Sequence, residues 1–156
     1  MSVNSYIMAF DGELLKRCFW LYVWKILFNG EKFIYVGRTG NSSSANAASP
    51  FNRVSQHLDF RKTAKGNVLA RRLREVDIDP NASNFRMIAL EPIFQEQKSV
   101  DKHMRYRDQM ATLEYEIAYY LKWQGFEVLG KYQKGSAIDQ TLLNELKSKV
   151  VEFISA

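Results

Sequence analysis

Tyr22, Tyr35, Arg53, His57 and Glu114 are the side chains whose types and spacing could do chemistry. Tyr22 and Tyr35 lie on either side of an Asn29-Gly30 pair, and Arg53 and His57 stand at i, i+4. Arginine offers a phosphate a fixed fork of donors, and histidine can donate or shuttle a proton. Glu114 interrupts an apolar run, where a carboxylate is costly unless it is paired or holds a cation. Tyrosine ionises at ~10 in water and needs nearby cations to act as a base near neutrality. Each also has a plainer account: packing tyrosines, a solvated helix face, and a salt bridge from Glu114 to Arg38 or Arg53.

The elements that must position these groups follow from pattern. Phe19 to Phe28 is aromatic and β-branched, which suits a strand, and Asn29-Gly30 then marks a type I′ hairpin turn. Lys32 to Arg38 is the returning strand. A two-residue turn pairs Phe28 with Glu31, Trp24 with Tyr35 and Tyr22 with Gly37. Tyr22 and Tyr35 then share a face, and Gly37 leaves space beside Tyr22. Gly40 to Ala48 reads as a loop. Ser49-Pro50 opens a helix with Phe51, Val54 and Leu58 as its apolar face, and Arg53 and His57 at the border with solvent. After Gly66-Asn67, a second helix places Val68, Leu69, Leu73 and Val76 inward. Phe85 to Phe94 is a third strand, and Gln95 to Tyr106 is expected to be a loop. Gln109 to Gln124 is a long helix with Met110, Leu113, Ile117 and Leu121 as its seam. Glu114 falls on that seam, and Glu116 lies about 200° away on the opposite flank. Phe126 to Leu129 could form a short edge strand, and residues 139 to 154 form a last amphipathic helix. The fold expected is α+β, an α/β sandwich: a small three-stranded antiparallel sheet flanked by helices, with an extra C-terminal helix.

The order Leu21-Tyr22-Val23, Tyr35-Val36-Gly37, Arg53-x-x-x-His57 and a helical Glu114 resembles the GIY-YIG nuclease family. Trp20-Leu21-Tyr22 stands where that family has Gly-Ile-Tyr, and Tyr35-Val36-Gly37 where it has Tyr-Ile-Gly. The resemblance covers about residues 19 to 130. It implies a divalent-metal-dependent endonuclease that hydrolyses DNA phosphodiester bonds with Mg2+ or Mn2+. Tyr22 is similar to the family's first tyrosine, a general base or water-orienting group. Tyr35 is similar to the second, which positions phosphate or water. Arg53 is similar to the phosphate-stabilising arginine, His57 to a histidine of some members, and Glu114 to the metal-binding glutamate. Two departures stand out. Trp20 replaces the first glycine and could crowd or line the cleft. Phe126-Glu127 stands where the family carries a Tyr-Asn pair.

Outside this constellation, Arg38, Arg61, Lys62, Lys65, Arg71, Arg72 and Arg74 are candidates for contact with a nucleic-acid backbone, part of them on a solvated helix surface. DNA is the expected partner, with RNA left open. A homodimer or partner chain could complete double-strand cutting. A non-catalytic nucleic-acid-binding module on the same scaffold is the alternative, and an interaction domain with core tyrosines is the plainest reading. The 156 residues favour one domain, and 46% apolar with 25% charged residues argues against disorder and a membrane bundle. A net charge of +5 permits a polyanionic partner without demanding one. The lone Cys18 excludes an internal disulfide and reads as inert core. Met1 to Phe10 lacks a basic stretch followed by an apolar one, so no signal peptide, no membrane and a cytoplasmic location are expected.

Overall fold

Asn29 and Gly30 both adopt positive φ, 51° and 76°, and turn the chain back on itself. A computed structural model describes residues 1–42, 46–136 and 138–156. The turn joins β1 (Cys18–Phe28) to β2 (Glu31–Arg38). Its register is the one the two-residue turn dictates: Phe28 faces Glu31, Trp24 faces Tyr35 and Tyr22 faces Gly37. The other edge of β1 pairs antiparallel with β3 (Asn84–Gln95), with an irregularity between Phe19 and Leu21.

The sheet has four strands rather than three. β4 (Glu127–Val128) runs parallel to β2, opposite Phe33 and Ile34, giving the order β3-β1-β2-β4 in a mixed sheet. Gly125, at φ 94°, turns the chain out of the preceding helix so that this short edge can form.

Helices cover both faces. α1 (Pro50–His57) and α2 (Val68–Glu75) lie on the side of Tyr22, Trp24, Ile26 and Tyr35, where Leu69 and Leu73 complete a buried cluster. α3 (Val100–Trp123) and α4 (Gln140–Ser155) lie on the other side, where Leu21, Val23, Ile34 and Val36 meet Met110, Leu113, Ile117, Leu121 and Leu143. The alternation of strand side chains thus splits the core in two. Cys18 is buried.

Three expectations change. α3 starts at Val100, so most of the segment expected to be a loop is helix. The Ser99 hydroxyl caps it by accepting from the Lys102 N–H at 3.2 Å. The apolar pattern hides this turn because its buried residue is His103, packed against the Phe19 ring at 5.1 Å. On α1, Val54 and Leu58 pack on the core as expected, but Phe51 is 38% exposed and meets Phe10 at 4.6 Å, and the buried residues are Pro50, Arg53 and His57. Val76 caps α2 and is exposed. The expected loop from Gly40 to Ala48 has no regular structure where described, and its residues 43–45 lie outside the described residues. Among the described residues no helix is long and apolar enough to cross a membrane.

Candidate active site

Tyr22 sits in the middle of β1 and is 1% exposed. Its ring occupies the space over Gly37, where an added Cβ would stand 2.7 Å from the tyrosine oxygen. Tyr35, two residues before Gly37 on β2, points to the same face. The His57 ring meets both tyrosines edge-on, at 5.5 and 5.4 Å between centroids. Ser49 supports this by capping α1, its Oγ accepting from the Asn52 N–H at 3.1 Å.

His57 Nε2 is in short contact with the Tyr22 hydroxyl, and Arg53 Nη2 lies 3.2 Å from the same nitrogen. Two donors converging there assign the imidazole lone pair to Nε2. The Leu69 N–H faces Nδ1 at the longer distance of 3.4 Å. Burial, then the Arg53 charge, holds His57 far below its ordinary value, at about 3, so the ring is neutral at physiological pH. Burial raises Tyr22 to about 12 against the pull of Arg53 and Arg38. Tyr35 is also raised by burial, so both phenols are neutral in the resting site.

Glu114 comes from the opposite helical layer and reaches the cavity past the end of β2. Arg38 Nε donates to Glu114 Oε2 at 2.6 Å, and Arg38 Nη1 donates to the Arg107 carbonyl at 3.1 Å. Burial pushes the Glu114 carboxyl up to about 7, although Arg38 and Arg53 both pull it down. Its other oxygen has no hydrogen bond among the described residues and is not sealed from solvent.

Tyr22, Tyr35, Arg38, Arg53, His57 and Glu114 all line one cavity of about 150 Å³. Every side chain expected in catalysis is therefore brought together, and Glu116 is not part of the lining. Arg53 is 9% exposed and His57 1%, deeper than the border position expected from the helix pattern. Trp20 is buried away from the cavity, its indole N–H donating to the Lys16 carbonyl at 3.0 Å, so it neither crowds nor lines it.

Sequence reasoning missed Asn41, Lys131 and Tyr132, which also line the cavity. The Tyr132 hydroxyl accepts from the Val36 N–H at 3.2 Å and lies 3.0 Å from both the Val36 and Leu129 carbonyls. It fastens the segment after β4 to β2. No periodicity marks that segment, so only its content of Lys and Tyr beside glycines could have flagged it.

Of the candidates for contact with a nucleic-acid backbone, Arg38 and Arg72 line the cavity, and Arg61, Lys62, Lys65, Arg71 and Arg74 do not. Arg61 is bound to Asp59 at 2.5 Å, and Arg74 donates to the Phe60 carbonyl at 2.5 Å. Lys62, Lys65 and Arg71 are exposed. Among the described residues no three His, Cys, Asp or Glu side chains gather as a metal cluster. The donor set at the cavity, one carboxylate with an open oxygen beside neutral hydroxyls, fits a hard cation that keeps most of its water, such as Mg2+. It does not fit a soft or fully caged metal. No family model matches the chain, and neither does any curated protein or solved structure.

Proposed function

We propose that this protein is a GIY-YIG-type endonuclease that hydrolyses DNA phosphodiester bonds with the help of Mg2+ or Mn2+. The observation that carries this reading is the meeting of Tyr22, Tyr35, Arg53, His57 and Glu114, drawn from β1, β2, α1 and α3, at one polar cavity.

Hydrolysis builds negative charge on the phosphoryl oxygens and on the leaving oxygen. Arg53, held by Gln56 Oε1 at 2.5 Å and by His57, presents a fixed cation to that charge. A divalent ion on the open Glu114 oxygen would add Lewis-acid stabilisation of the same charge. Tyr22 is too weak an acid to work as a standing tyrosinate. Its hydroxyl, held in place by neutral His57 Nε2, instead orients the attacking water. Tyr35, whose hydroxyl has no partner among the described residues, is placed to hold a phosphate oxygen or the water. DNA is the proposed substrate, and cutting both strands calls for a second copy or a partner chain.

A second reading, a nucleic-acid-binding module without catalysis, draws on the engagement of Glu114 by Arg38. One assay separates the two. Supercoiled plasmid incubated with Mg2+ is expected to be nicked or linearised, and EDTA to stop this. Glu114→Gln and Arg53→Ala are each expected to lower the rate by about a hundredfold or more with the fold retained by circular dichroism. Salt-dependent binding without cleavage in Mg2+ or Mn2+ would establish the second reading instead.

A further inference from the structure

The cavity is also lined by two cations, Arg72 and Lys131, to which the hydrolysis above gives no task. We propose that Arg72 and Lys131 bind a second phosphate, adjacent to the one held by Arg53. The cavity would then take two consecutive phosphates of one nucleic-acid strand. This rests on, and extends, the nuclease reading.

Arg72 differs from Arg71 and Arg74, which are exposed on the same helix. It turns inward and lines the cavity. Its Nη1 donates to both Glu75 oxygens, at 3.1 and 3.2 Å, which fixes one corner of the guanidinium. The remaining edge, Nε with Nη2, is the edge that grips a phosphate through two parallel bonds. Nε is buried and has no partner, and an unmet buried donor costs free energy until an acceptor arrives. Gly130 packs beside this edge without adding a side chain to it: a Cβ there would stand 3.4 Å from Nε, and its φ of 96° favours glycine. The next residue, Lys131, lines the same cavity, is exposed, and pairs with no described residue.

Arg53 also lines a neighbouring cavity with Arg17, Asn52 and Gln56, and its Nη1 lies 3.5 Å from where a Cβ of Gly66 would stand, before α2 begins. Arg72 is about one turn into α2, and its Nε lies instead beside Gly130. The Arg53 Nε is likewise buried without a partner. In each of the two guanidinium groups the Nε lacks an acceptor, one for each of two phosphates. Charge agrees, since Arg38, Arg53, Arg72 and Lys131 line the cavity and, among the described residues, Glu114 and the Glu75 partner of Arg72 answer two of these four charges.

The test uses the thymidine trinucleotide TpTpT and its two isomers in which one linkage is a neutral methylphosphonate. Each is titrated into the full chain in EDTA and followed by NMR chemical shifts. The wild type is expected to bind TpTpT about tenfold more tightly than either isomer. Arg72→Met and Lys131→Gln are each expected to bring that ratio close to one, whereas Arg53→Met weakens all three ligands. Lys131 is exposed, so its variant keeps the test decisive should Arg72→Met fail to fold. Equal wild-type affinity for all three ligands, no binding at all, or a wild-type ratio in both variants overturns the proposal. Plasmid cleavage reads the nuclease proposal separately. Cleavage without the TpTpT preference sinks the second phosphate alone, and the preference without cleavage sinks hydrolysis alone.

Discussion

His57 is the residue on which the cavity's charge state turns. It is packed between two tyrosines and faced by the Arg53 guanidinium, so a second ring proton meets both desolvation and a like charge. An exposed histidine in the unfolded chain titrates near ~6.5, and folding lowers His57 to about 3. Between those values the unfolded state binds the extra proton and the folded state does not. The His57 contribution to stability is therefore intact above about pH 6.5 and is lost as pH falls toward 3. Glu114 acts with the opposite sign, because its raised value lets the folded state hold a proton up to about 7. The two terms oppose each other in mildly acid solution, so the histidine term is read as a difference. The Tm of wild type minus that of His57→Asn is expected to fall steadily as pH drops from 6.5 to 4. A difference that stays constant would mean that His57 takes up its proton in the folded protein.

At the scale of elements, the hairpin register decides where the tyrosines go, and Gly37 decides how far Tyr22 can reach. Gly37→Ala would set a Cβ 2.6 Å from Tyr22 Cζ. Overpacking of this kind costs about 1–3 kcal/mol, an expected fall in Tm of roughly 2–4 °C per kcal/mol for a chain of this size. An unchanged Tm would show that the ring swings aside freely. This register could be read from Asn29-Gly30 alone, because a two-residue turn leaves no freedom in pairing. The seam of α3 was equally legible, and with it the placement of Glu114 among apolar neighbours. The start of α3 was not, because His103 looks polar in a sequence while serving as the buried anchor of the first turns. On α1, Val54 and Leu58 face the core as their spacing indicates, whereas the depth of Arg53 and His57 was hidden for the same reason. Arg53 and His57 are buried there through each other and through Tyr22, an energy that no hydrophobic pattern records. The β4 edge was legible as a short strand within Phe126 to Leu129, but its parallel pairing with β2 and the place of the Lys131-Tyr132 segment depend on contacts far along the chain, which local preference does not encode.

For the whole molecule, the net charge of +5 becomes informative once the cations already engaged are set apart. Arg38, Arg61 and Arg72 each pair with a carboxylate, and Arg74 is held by a backbone carbonyl. Arg53, Lys62, Lys65, Arg71 and Lys131 make no salt bridge among the described residues; Arg53 and Lys131 line the cavity, Arg71 lies on the surface of α2, and Lys62 and Lys65 lie in the segment between α1 and α2. A few phosphate contacts from this set predict that duplex DNA affinity falls about a hundredfold between roughly 50 and 200 mM salt. Affinity that does not change with salt would remove the phosphate backbone as the ligand. The sheet order carries a different consequence. β1 is the central strand, yet its partner on one side is the next strand and its partner on the other is β3, with two helices in between. The hairpin can close within microseconds, whereas the second pairing waits for a long loop to be drawn in. The cavity needs still more, since Glu114 and Tyr132 come after β3. During synthesis, a chain still short of Glu114 carries both tyrosines and Arg53 but not the carboxylate, so the cavity is complete only after α3 and the segment that follows β4 have emerged.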